Sequence, residues 1–167
     1  MPALFRINTL GLCAAAWMLC IATSAPAQDT NHHQHGGQTA TQALQRGEKW
    51  PTDAVLRQNM DHIRQTMTAS QDAIDQARLK DQDYLRLAET IDKSTADIVK
   101  NCHLSKEADA AFHSMVLSAL HQDAELMRVA PKTQVKRIAA LGVLQSLRHY
   151  GDYFQHPGWS IAPAKAR

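Results

Sequence analysis

Apolar residues recur every three or four positions along most of the chain, with polar residues between them. Leu56, Met60, Ile63, Met67 and Ile74 follow steps of four, three, four and seven, while Asp61, Arg64, Gln65, Gln71 and Asp72 occupy the other face. That spacing predicts an amphipathic helix over about 52–77. Tyr84, Ala88, Ile91, Thr95, Ile98 and Cys102 repeat the alternation and predict a second helix over about 81–101. Ser105 is a good N-cap for a third, with Glu107 and Asp109 in its first turn, where the helix dipole favours acids. Its inner line is Phe112, Met115/Val116, Ala119/Leu120 and Met127, and Pro131 ends it. Val135, Ile138, Leu141, Leu144, Leu147, Tyr150 and Phe154 define the apolar face of a fourth helix, which His156-Pro157-Gly158 terminates. Four such helices on short links pack most simply as an antiparallel up-down-up-down four-helix bundle. This all-α unit is expected over residues 50–160, with 161–167 a C-terminal tail.

The first 49 residues break this pattern. Arg6 precedes an apolar run from Leu10 to Ala22, and Ala25-Pro26-Ala27 supplies a small-x-small cleavage pattern. Residues 1–27 are therefore expected to be a cleaved signal peptide, too short in its apolar run for a membrane span, which exports the chain to a bacterial periplasm. Residues 28–49 contain Asn31-His32-His33-Gln34-His35-Gly36-Gly37 and little that is apolar, so they read as a flexible, His-containing leader. Trp50-Pro51 closes it, with Trp50 placed to staple the entry of the first helix.

Charge and composition narrow the function. The 167 residues carry a formal +2, which falls to +1 once Arg6 leaves with the signal. A chain that coats nucleic acid needs a basic face, so that class is excluded. No Gly-rich phosphate loop, nucleophile elbow or His-Glu-x-x-His pair occurs, and no enzymatic activity is expected. Of the three cysteines only Cys102 lies outside the signal. A lone thiol in an oxidising compartment is buried and inert, or bound to a metal, or paired with a second subunit in a homodimer.

Antiparallel packing would gather chemistry at one pole. The start of helix one, the end of helix two, the start of helix three and the end of helix four meet there. Met60, Cys102, Asp109, His113, His149 and His156 all fall in that half. Asp109 and His113 are spaced i, i+4, so the carboxylate can orient the imidazole, as the partner of a metal-ligating histidine does. They also suit a plain surface pair, as Met60 suits a core filler. Thiolate, imidazole and thioether form a soft ligand set for copper or zinc. The candidate metal ligands are Cys102, His113 and Met60, with Asp109 behind them and His32, His33 and His35 of the leader capturing or passing on the ion. His62 and His121 are expected to face solvent. His103 points about 100° from Cys102 while the helix lasts, so it joins the set only if the helix has ended.

Two resemblances add expectations. Leu56-Arg57-Gln58-Asn59-Met60-Asp61-His62-Ile63 resembles the first helix of the soluble b-type cytochrome bundles. That resemblance implies a non-covalent haem b held by Met60 and a helix-four histidine, His149 or His156. The second covers nearly the whole exported chain. Trp50-Pro51-Thr52-Asp53 with Leu56 and Met60, Ile98-Val99-Lys100-Asn101-Cys102-His103-Leu104, Ala108-Asp109 with His113, and Tyr153-Phe154-Gln155-His156-Pro157-Gly158-Trp159 resemble the DnrO-like family of small exported proteobacterial proteins. It implies a compact helical protein with a recurring Cys/Asp/His set. The reading that follows is a periplasmic bundle that binds a soft transition metal, copper first, for handling or tolerance. The alternatives are the haem electron carrier and a helical interaction or chaperone-like module without cofactor.

Overall fold

A computed structural model describes residues 48–161; the expected signal peptide, the His32, His33 and His35 leader and the tail lie outside the described residues. Helix α1 is Ala54–Asp75, α2 Asp81–Asn101, α3 Lys106–Phe112, α4 Ser118–Val129 and α5 Thr133–Tyr153. A π-helical segment, His113–Leu117, joins α3 to α4, so the five α segments make four rods.

Each boundary has a local cause. Asp53, extended at φ −91° and ψ 177°, accepts a hydrogen bond from the Leu56 backbone N–H at 2.7 Å and starts α1. Ala77 at φ 53° turns the chain out of α1 in the left-handed region. Asp83 accepts from the Lys80 backbone N–H at 2.8 Å, and Asp81 and Asp83 place negative charge in the first turn of α2. Ser105 caps α3 through the Ala108 N–H at 3.2 Å, as its position in the sequence predicts.

The rods pack in a cycle: α1 against α2 and α5, and α4 against α2 and α5. Leu56, Met60, Ile63, Met67, Ile74, Tyr84, Ile91, Leu120, Met127, Leu147, Tyr150 and Phe154 form the enclosed core. In the third rod one buried line, Ala108, Phe112, Val116, Leu120 and Ala124, runs in steps of four, with Ala111, Leu117 and Met127 also buried. On an α-helix each such step rotates the stripe by about 40°. The wider π segment takes up that drift and keeps the stripe on the core.

In the fourth rod the expected Leu144, Leu147, Tyr150 and Phe154 are buried, and the departure lies in its first turns. Ile138, assigned to the core by sequence, is 58% exposed. The buried line runs Lys136, Ala140, Val143, Leu147, Tyr150 and Phe154 in steps of four and three, with Ala139, Leu144 and Ser146 beside it. The three-residue series through Val135, Ile138 and Leu141 slips backwards by about 60° per step and cannot hold one face.

Beyond α5, residues 154–161 fold back over its end. Trp50 and Phe154 form a parallel bridge, with Trp50 N donating to the Tyr153 carbonyl and Gln155 N to the Trp50 carbonyl, both at 2.8 Å. Trp159 lies so close to Gly151 that a Cβ there would stand 2.4 Å from its Cδ1, and its Nε1 donates to the Leu147 carbonyl at 3.2 Å. Glycine is the residue that lets the indole seat at that depth.

Candidate functional site

The side chain that organises this end of the molecule is Asp53. Its two oxygens accept three hydrogen bonds: Leu56 N at 2.7 Å and the Cys102 thiol at 3.4 Å on Oδ1, and His103 N at 2.6 Å on Oδ2. The carboxylate thereby clamps the end of α2 to the start of α1. Burial pushes its pKa upward, but the N–H groups of His103 and Leu56 with the thiol outweigh burial and hold it below its ordinary value.

Cys102 is the C-cap of α2, in extended backbone at φ −78° and ψ 141°, and is half-buried. Burial first, then the hydrogen bond and charge of Asp53 and the charge of Asp109, push its thiol up to about 12. At neutral pH it is a protonated donor to a carboxylate and a weak nucleophile. The helix ends at Asn101, but the extended backbone that follows turns successive side chains to opposite sides: Cys102 and Leu104 pack against the core while His103 is exposed, its backbone N–H rather than its ring meeting Asp53.

The other expected residues divide. His113 Nε2 stands 3.7 Å from Asp109 Oδ1, with the two side chains 52% and 59% exposed, and the Asp109 charge bears on the Cys102 thiol. Met60 is wholly enclosed in the apolar core. His149 is exposed, bonded to Gln145 at 2.9 Å and tilted against Tyr153 at 6.3 Å between centroids. Among the described residues no three of His, Cys, Asp or Glu come together in a way that would hold a metal ion.

His156 has the most developed surroundings. Its side chain is 5% exposed, Nε2 faces Asp61 Oδ2 at 3.2 Å, and Nδ1 faces the Tyr150 hydroxyl at 3.1 Å. Burial lowers its basicity, and Asp61 only partly restores it. Arg64 binds Asp61 Oδ1 at 2.8 Å and lies 5.2 Å above the Trp159 ring. Sequence reasoning gave Asp53, Asp61 and Tyr150 no role in the site. Asp53 had a legible signal, a capping residue after Trp50-Pro51-Thr52. Asp61 and Tyr150 are joined only by the returning segment after α5.

No family model, curated protein or solved structure matches this chain.

Proposed function

We propose that this is an exported protein that handles a soft transition metal, copper first, at the pole where the leader enters the bundle. The observation that carries the reading is the Cys102 thiol, half-buried beside the Asp53 carboxylate at 3.4 Å and under the charge of Asp109. A sulfur with carboxylates beside it suits a soft cation once its proton is displaced. His113 stands next to Asp109. The chain enters the bundle at Trp50, three residues before Asp53, and His32, His33 and His35 of the preceding leader are the further donors of this proposal. Up-down-up-down order of the rods belongs to the same proposal. Cys102 meeting Asp53, and Arg137 Nε donating to the Ile74 carbonyl at 2.7 Å from the other end of α1, support it.

Elemental analysis and copper(I) competition titration of protein secreted into a bacterial periplasm test this. A stoichiometric ion is expected, reduced in Cys102→Ser and in a variant whose leader histidines are replaced by alanine. Affinity should rise with pH, because binding expels a thiol proton that is held tightly. Unchanged binding in both variants refutes the proposal.

A further inference from the structure

We propose that Trp159, Tyr150 and His156 form a relay that carries a one-electron oxidising equivalent from the protein surface to a base-coupled tyrosine. The inference is separate from the metal reading and uses the chain alone. Three observations carry it. Tyr150 is completely enclosed, and its hydroxyl has His156 Nδ1 as a partner at 3.1 Å, with the Thr52 side chain as a second partner. Asp61 faces Nε2 at 3.2 Å, which fixes the tautomer with hydrogen on Nε2 and leaves Nδ1 as an acceptor aimed at the phenol. The half-buried Trp159 ring lies 4.7 Å from the Tyr150 ring and 4.8 Å from the His156 ring, with its N–H held by the Leu147 carbonyl.

The electron count is simple. A diffusible one-electron oxidant removes an electron from the Trp159 indole and is itself reduced by one electron. Tyr150 returns an electron to the indole, its O–H bond breaks, and the proton forms a new N–H bond at His156 Nδ1. The products are the restored indole, a neutral tyrosyl radical and an imidazolium facing the Asp61 carboxylate. A phenol loses an electron readily only when a base takes its proton at the same time, and this pair supplies one. Tyr84 is the internal contrast: it too is fully buried, yet its hydroxyl has no partner among the described residues.

Flash–quench oxidation of the metal-free full chain, with a photogenerated ruthenium(III) polypyridyl complex as oxidant, tests the relay by transient absorption and electron paramagnetic resonance. The wild type should give an indole radical that converts to a tyrosyl radical, more slowly in heavy water. Tyr150→Phe keeps the ring packing and should stop at the indole radical, although Tyr84 and Tyr153 remain. His156→Gln should slow the conversion about a hundredfold, the scale of general-base assistance. Asp61→Asn, which releases the tautomer, should slow it with the fold intact by circular dichroism. A tyrosyl yield unchanged in Tyr150→Phe, or a conversion rate unchanged in both His156→Gln and Asp61→Asn, overturns the proposal.

Discussion

Replacing Asp53 by alanine removes the hub of the leader-side pole, and the cost can be worked from its bonds. The Leu56 N–H loses its cap, worth about 1 kcal/mol. The His103 N–H loses a charge-assisted bond of 2.6 Å, worth about 1.5–3 kcal/mol, with the lower part of that range fitting a half-exposed carboxylate. The thiol bond is long and adds little. A loss of about 2–3 kcal/mol is expected, a large share of the roughly 5–15 kcal/mol of a small domain. Urea denaturation followed by far-ultraviolet circular dichroism measures it. Because folding holds this carboxyl below its ordinary 3.8, its contribution is present above that value and lost as pH falls through the lower folded one. The gap between wild type and Asp53→Ala should therefore be wider at pH 7 than at about pH 2. Asp53→Asn, which keeps a cap oxygen, should fall between them. A loss under about half a kcal/mol at neutral pH, or an equal loss at both pH values, refutes the reasoning.

Three further outcomes are expected. Asp123 presses on Gly142, where a Cβ would stand 2.4 Å from its Oδ2; Gly142→Ala should cost about 1–3 kcal/mol in thermal or urea melts, most of it recovered on adding Asp123→Ala. Burial pushes the Asp123 carboxyl up to about 6, so its share of stability is present below 3.8 and lost as pH rises through 6. Asp123→Asn should match wild type at pH 4 and exceed it by about 1 kcal/mol at pH 8 in the same melts, after allowance for screening of a half-exposed group. Met60→Leu should change stability by less than about 1.5 kcal/mol and leave copper stoichiometry untouched, because that thioether lies inside the apolar core; loss of the ion in titration would make Met60 a ligand.

The rods and most of their ends are written in local patterns. Leu56, Met60, Ile63 and Met67 mark a helical face because the period is a property of the backbone, and Ser105 caps α3 because its hydroxyl bonds a donor three residues away. The fourth rod was less legible: its apolar residues offer both a three-residue and a mixed series, and only packing against α1 and α4 chose the second, leaving Ile138 in water. The π segment was hidden for the same reason, since a stripe four residues apart becomes continuous only when one turn widens. Helix count alone led to the expectation that Cys102, His113 and Asp109 share one half of the molecule; the structure gives Asp109 beside His113 at 3.7 Å and its charge bearing on the Cys102 thiol. The partners of Cys102 and His156 did not, because Asp53 is 49 residues from the thiol and Asp61 is 95 from the imidazole. A hydrogen bond depends on distances of a few tenths of an ångström, set by how whole helices seat on one another. The sequence by itself determined which segments are helical and which face each one buries to first order; the tertiary structure alone decided which polar atoms meet at the ends.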